Sequence, residues 1–294
     1  MEQEPTALTR RRLMILLGGL SLAGPWGMLR AQQSRRLVSL GGAVTEIVYA
    51  LGMGDHLVAV DSTSEYPAAA QELPDVGYFR RLSAEGILSL APDLVLAAEA
   101  AGPERALEQI RSAGVRVARV PDVDDVSDIV RKVRFIGEAL GRQADAETLA
   151  ADFTRRLEQV LAPLSSVKNR PRVLFVLSAD AGSPVVGGSG TSADKIIRLA
   201  GGRNAAGSIE GYKPVGRESL IATAPDWVLT MSHEVESIGG ADQLLARPAF
   251  AQTPAGKQGR ILAMHGTRLI GMGLRTPDTL AELAANWHPD IPIA

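Results

Sequence analysis

The sequence predicts an α/β protein of two related lobes with mainly parallel sheets, joined by a single long linking helix, with a ligand cleft between the lobes. Three observations predict it. First, Glu85-Gly-Ile-Leu-Ser-Leu-Ala-Pro-Asp-Leu-Val-Leu96 and Glu218-Ser-Leu-Ile-Ala-Thr-Ala-Pro-Asp-Trp-Val-Leu229 repeat one another, with Glu, Ala, Pro, Asp, Val and Leu at matching places. Second, strand-like and helix-like stretches alternate along the chain, the pattern of a parallel sheet covered on both faces. Third, Leu149, Phe153, Leu157, Val160 and Leu161 keep helical spacing between the two repeats, uninterrupted by glycine. A chain of 294 residues also exceeds the size at which one core usually suffices. Clefts between domains are favoured sites for small ligands.

Residues 1–33 read as an export signal. Thr9-Arg10-Arg11-Arg12-Leu13-Met14 leads into an apolar stretch broken by Gly18, Gly19, Gly24 and Pro25, which resembles a twin-arginine signal. The alternative is a membrane anchor, but the apolar run before Arg30 is short for a span. Cleavage near Ala31 and a periplasmic destination are expected. With no cysteine in the chain, neither a disulfide nor a lipid-modified cysteine is available.

The first lobe is expected over 34–141. It begins with a strand at Arg36 to Leu40, a turn at Gly41-Gly42, a helix from Ala43 to Leu51 closed by Gly52, and a strand at Leu57 to Val60. A long polar loop then runs from Asp61 to Arg81. The first repeat unit follows: a helix with Glu85 in its first turn ends at Pro92, which cannot continue helical hydrogen bonding, and a short apolar run succeeds it. A helix at Gly102 to Ser112, a strand at Val115 to Val120 and a helix from about Val126 to Leu140 complete the lobe. The linking helix is placed in 142–168, up to the Lys168-Asn-Arg-Pro171 break. The second lobe, 169–294, opens with a strand at Arg172 to Leu177, a glycine-rich loop through Gly190, and a helix from Ser192 to Leu199 closed by Gly201-Gly202. The order strand, loop, helix, glycine repeats that of residues 36–52, a second sign of duplication. One rigid linking helix favours small rocking of the lobes over wide hinge closure.

Most familiar chemistries lack their residues. A net charge of −2 without a basic stripe gives no footprint for nucleic acid. Gly187-Gly-Ser-Gly190 precedes a helix but has neither a P-loop ending nor dinucleotide spacing, and Thr191 stands where a nucleophile elbow needs glycine. It reads either as an anion cradle or as a plain turn beside the cleft. His56, His233, His265 and His288 are unpaired at ligand spacing. His233-Glu-Val-Glu236 superficially resembles a zinc helix, but Ser237 replaces the second histidine. The informative segment is Asp61-Ser-Thr-Ser-Glu-Tyr66-Pro67 with Gly77-Tyr78-Phe-Arg80-Arg81, since it follows the C-terminal end of a parallel strand, where such folds place ligand residues. By itself Tyr66-Pro67 also reads as a turn with a half-exposed ring.

Ser64-Glu-Tyr-Pro67, Val76-Gly-Tyr-Phe-Arg-Arg-Leu-Ser-Ala-Glu85, Gly201-Gly-Arg-Asn204, Gly211-Tyr-Lys-Pro214 and Gly271-Met-Gly-Leu-Arg-Thr276 together resemble the periplasmic haem-binding proteins of bacterial haem-uptake ABC transporters. The superfamily also holds corrinoid and ferric-siderophore binders. The resemblance implies two lobes on a rigid helix, transported ferric haem b as ligand, and Tyr66 as its axial iron ligand. A phenolate is a hard oxygen donor suited to ferric iron, and a nearby cation or the metal must favour the anion. Arg80, Arg81, Lys213 and Arg275 are the cationic candidates for the phenolate and for the haem propionates, and Tyr78 is a further pocket residue. Some relatives add a histidine after the first strand of the second lobe; here that loop, Ser178 to Ser183, has none, so five-coordinate iron on Tyr66 is expected, with His233 as an outside second ligand or pocket wall. Glu85 and Glu218 are implied to meet arginines of the permease; as acids in a helix's first turn they are also explained by the helix dipole. The implied partners are haem, an inner-membrane ABC permease with its ATPase, and an outer-membrane haem receptor system upstream. The rivals are a corrinoid or siderophore binder and an exported two-domain enzyme; as a carrier the protein catalyses nothing.

Overall fold

Arg36 and Arg172 open the two lobes in the same way, and this explains the repeated Ala-Pro-Asp. The Arg36 amide donates to Asp93 Oδ2 at 2.8 Å while its guanidinium donates to the carbonyls of Leu90 and Ala91. The Arg172 amide donates to Asp226 Oδ2 at 2.8 Å, and its guanidinium to the Thr223 carbonyl. In both copies the alanine before the proline sits in the left-handed region, Ala91 at φ 44° and Ala224 at φ 42°. Each unit is therefore a corner that turns a helix into a strand and ties the strand beside it at its first residue. The helix of each unit stops earlier than the proline requires, since the αL alanine already ends it.

The computed structural model describes residues 35–123, 125–179 and 183–293. The expected export signal lies outside the described residues. The first lobe runs β1 (Leu37–Leu40), α1 (Gly42–Ala50), β2 (Leu57–Val60), α2 (Ala84–Leu88), β3 (Leu94–Ala98), α3 (Glu104–Ser112), β4 (Arg116–Val120) and α4 (Asp128–Leu140). Its four strands are all parallel in the order β2-β1-β3-β4. β1 is buried along its whole length, as a strand covered on both faces must be. Val44, Ile47 and Val48 pack on one face with α4, and Ile87, Leu107 and Ile110 on the other. Pro103 sets the start of α3 two residues beyond Gly102, where the sequence pattern alone would begin it.

The linking helix α5 (Gln143–Leu164) spans 22 residues, with Pro163 in its last turn. Ala146 and Ala150 belong to the apolar cluster of the first lobe, whereas Phe153, Leu157, Val160 and Leu164 belong to that of the second. One helix therefore supplies both cores, and bending it would cost packing on either side.

The second lobe continues with β5 (Arg172–Ser178), β6 (Val185–Gly187), α6 (Ser192–Leu199), β7 (Arg203–Asn204), β8 (Tyr212–Pro214), α7 (Arg217–Ala222), β9 (Trp227–Met231), α8 (Ser232–Ser237), α9 (Ala241–Ala246), α10 (Pro254–Gln258), β10 (Ile261–Met264), α11 (Gly266–Ile270) and α12 (Thr276–Trp287). β10, β9 and β5 are parallel neighbours and β7 joins β5 in parallel, but β6 and β8 extend the sheet antiparallel. The glycine-rich stretch thus runs from the end of antiparallel β6 toward α6. The amides of Gly188 and Ser189 donate to the carbonyls of Gly211 and Ile209 at 2.9 and 2.6 Å. With these two amides satisfied by the chain's own backbone, the stretch has the hydrogen bonding of a plain turn there.

Candidate functional site

The loop that carries Tyr66 is held by a buried carboxylate. Asp61, 1% exposed, follows β2. Its Oδ1 accepts from the Gly41 amide and the Ser64 hydroxyl, each at 2.7 Å, and its Oδ2 accepts from the Thr63 hydroxyl at 2.7 Å and the Thr63 amide at 3.1 Å. Ser64 passes the network on to Thr45 at 2.6 Å, and Thr45 to Ser39 at 2.5 Å. The chain between β2 and Tyr66 is thus fastened to the start of α1. Tyr66 itself is 48% exposed.

The second lobe reaches this loop from the opposite side. The Thr267 hydroxyl donates to the Thr63 carbonyl at 3.2 Å. His265, which caps α11, pairs through Nε2 with the Glu65 carboxylate. Arg275, which precedes α12, lays its guanidinium over the Tyr66 ring, 4.2 Å from the centroid. It donates through Nε and Nη2 to Glu46 Oε1 on α1, at 2.9 and 2.5 Å. Gly42 makes this approach possible: a Cβ there would lie 2.4 Å from the Thr63 carbonyl oxygen and 2.5 Å from Thr267 Cγ2. Burial pushes the Glu46 carboxyl up, against the hydrogen bonds and charge of Arg275 and the charge of His265.

The other expected residues are exposed side chains. Tyr78 is 39% exposed and meets Phe79 edge-on, with ring centroids 5.0 Å apart. Arg80 lies over the Phe79 ring, and Arg81 and Lys213 are exposed; among the described residues none of these three cations is in an ion pair. Tyr212 on β8, next to Lys213, packs edge-on against Phe175 with centroids 6.3 Å apart. Burial pushes its phenol up, while hydrogen bonding at Ala193 and Thr191 and the charge of Arg80 from the facing lobe pull it down. His233 is exposed on α8 beside Gly266, and its neighbour Glu234 is buried, accepting from the Ala179 amide at 2.5 Å. No group of three or more His, Asp or Glu side chains among the described residues could hold a bare metal ion.

Glu46, His265 and Tyr212 are functional candidates that sequence reasoning passed over. An acid within the apolar run Ala43 to Ala50 is a signal that some cation must meet it. His265 follows the C-terminal end of β10, where the rule that singled out the Asp61 loop applies equally. Tyr212 stands inside the Gly211 to Pro214 motif, beside the lysine that drew attention.

Chemically the arrangement offers the half-exposed Tyr66 phenol with a cation over its ring, two further exposed tyrosines, and exposed cations without ion pairs among the described residues. It suits a flat apolar ligand with anionic edges and a centre that accepts an oxygen donor. Glu85 and Glu218 lie in the first turns of α2 and α7, both exposed and in no ion pair among the described residues. Beside Glu85 a groove of about 800 Å³ runs between α2 and α3, lined by Ala84, Leu88, Pro103 and Ala106.

Known proteins resemble the chain along most of its length. The periplasmic heme-binding protein RhuT from Roseiflexus sp. RS-1 is 43% identical and superposes with a TM-score of 0.84, covering 87% of this chain and 98% of that one. A periplasmic heme-binding protein from Pseudomonas aeruginosa is 37% identical with a TM-score of 0.81, over 88% and 95% of the two chains. The vitamin B12-binding protein of Vibrio cholerae is 30% identical over 255 residues, 85% of this chain and 88% of its own. Residues 37–267 match the periplasmic binding protein family. With the whole two-lobed architecture in place, the chain belongs to that family of periplasmic binding proteins.

Proposed function

We propose that this protein captures ferric haem in the cleft between its lobes and delivers it in the periplasm to an inner-membrane ABC importer, catalysing nothing itself. The observation that carries the reading is Tyr66: a half-exposed phenol at the meeting of the lobes, with Arg275 from the other lobe against its ring. The heme-binding proteins among the structural relatives support the same ligand.

On this reading the Tyr66 phenolate is the axial donor to iron. Arg275, over the ring, is already paired with Glu46 and is not a free partner for a propionate. The propionates fall to Arg80, Arg81 and Lys213, exposed cations without ion pairs among the described residues. Tyr78 and Tyr212 supply aromatic walls for the macrocycle. His233 is a pocket wall, leaving the iron five-coordinate. Glu85 and Glu218 meet arginines of the permease, whose ATPase drives import, and an outer-membrane receptor supplies the haem. Export is by the cleavable segment at 1–33.

Titration of the mature protein with hemin tests the reading, with Tyr66→Ala alongside. Wild type is expected to give a ferric phenolate spectrum that the variant lacks. Equal spectra and affinities would remove Tyr66 from the iron, and absence of binding would remove haem. A corrinoid is the second reading, favoured by the vitamin B12-binding relatives. Competition by cyanocobalamin for the same cleft would favour it.

A further inference from the structure

We propose that Glu46 is a positioning residue for Tyr66: from helix α1 it fixes the Arg275 guanidinium over the Tyr66 ring and so holds the ring in its ligating orientation. The proposal rests on the haem reading. Glu46 is 5% exposed, in a stretch of α1 where Ala43, Val44, Ile47 and Val48 are also buried. A carboxylate in such a place is costly unless met by a cation, so something must require it. Its one direct partner among the described residues is Arg275, 229 positions away in the sequence, and both guanidinium hydrogen bonds go to a single oxygen, Oε1. The other oxygen, Oε2, has no hydrogen-bond partner among the described residues.

The route for this contact is built into the loop before α12. Met272 takes a positive φ of 49°, and Gly273 has no side chain to hold the loop off; a Cβ there would come within 3.2 Å of Glu46 Oε2 and 3.3 Å of Ala43 Cβ. Arg275 can thus reach across the lobe boundary to α1, and its planar guanidinium presents an edge to Glu46 and a face to Tyr66. An arginine anchored at its edge has little freedom left at its face. Without Glu46 the same arginine would be free to turn toward solvent or a propionate.

The test compares Glu46→Ala, Glu46→Gln, Arg275→Ala and the double variant Glu46→Ala/Arg275→Ala. Three quantities are read: the ferric haem spectrum, the rate of haem transfer to apomyoglobin, and the near-ultraviolet circular dichroism of each apoprotein minus its Tyr66→Phe counterpart. Glu46→Ala is expected to disturb the spectrum, to speed haem loss about tenfold, the size of one partly desolvated cation–π contact, and to weaken the tyrosine dichroism. Glu46→Gln is expected to restore all three, because its amide oxygen can accept both Arg275 bonds at the Oε1 position. In the Arg275→Ala background, loss of Glu46 should add nothing. The proposal is overturned if Glu46→Ala lowers the melting temperature but leaves spectrum, rate and dichroism as in wild type. It is also overturned if the two single effects simply add. If wild type binds no hemin, the haem reading fails, and the apoprotein dichroism still decides whether Glu46 positions Tyr66. Should Glu46→Ala fail to fold, Glu46→Asp, one methylene short of Arg275, takes its place with the same expected outcomes.

Discussion

Asp61 Oδ1 accepts the Ser64 hydroxyl at 2.7 Å, two residues before Tyr66, and the same oxygen accepts the Gly41 amide at 2.7 Å from the turn that starts α1. The loop is therefore fastened to within two residues of the exposed tyrosine. Replacing Asp61 by Asn leaves one acceptor oxygen for two sets of donors. We expect Asp61→Asn to lose roughly 2–4 kcal/mol of folding stability, the scale of buried hydrogen bonds to a charged group left unmade. Urea unfolding measures that loss. Hemin titration of the folded variant should show weakened Tyr66 ligation, and unchanged ligation would mean that the loop is held by other contacts.

Tyr212 is exposed and its ring meets the buried Phe175 edge-on. Tyr212→Phe is expected to bind hemin as wild type does, since the wall is the ring. Tyr212→Ala should bind about tenfold more weakly, in keeping with the loss of a large aromatic contact. Equal affinity in the alanine variant would take Tyr212 out of the binding wall.

Glu85→Ala with Glu218→Ala separates docking from ligand binding. Each acid is exposed at a helix start, so the folding cost of each should stay below about 1 kcal/mol. Hemin affinity should be unchanged while uptake by the reconstituted importer falls. Unchanged uptake would leave both acids with the helix dipole as their only role.

His288 gives the second lobe a pH dependence independent of the ligand. Burial, the largest cause, holds its imidazole below its ordinary value of 6.5. In the unfolded chain it binds a proton more readily than in the folded one, so stability is full above about 6.5 and declines as pH falls through the folded value. Calorimetry at pH 7.5 and 5.5 should show a lower melting temperature at the acid pH, and His288→Asn should reduce the difference. An unaltered difference would assign the acid sensitivity to other groups.

The sequence disclosed the scaffold more fully than the site. The strand at Leu57–Val60 and the helix at Ser192–Leu199 stand where the pattern put them, because apolar periodicity and flanking glycines report local structure. The antiparallel return through β6 and β8 was not legible, since a glycine-rich stretch fits a turn of either topology. At the site, Tyr66 and Arg275 could be named singly. That Arg275 is paired with Glu46 depends on residues at opposite ends of the chain, and no local pattern records such a meeting. The role of Asp93 and Asp226 was hidden for the same reason, as their partners Arg36 and Arg172 lie more than fifty residues away.

The cleft has a fixed half and an adjustable half. Around Tyr66, backbone meets backbone at Gly42 and every polar side chain from Asp61 to Ser64 apart from exposed Ser62 is engaged, whereas Tyr78, Arg80, Arg81 and Lys213 stand exposed. Selectivity is thereby divided by construction. On the haem reading, the contact to iron sits in segments that are also tied across the lobes, through Thr267 to Thr63 and Arg275 to Glu46. On the same reading, the fit to the ligand's periphery falls to exposed side chains that take no part in those ties.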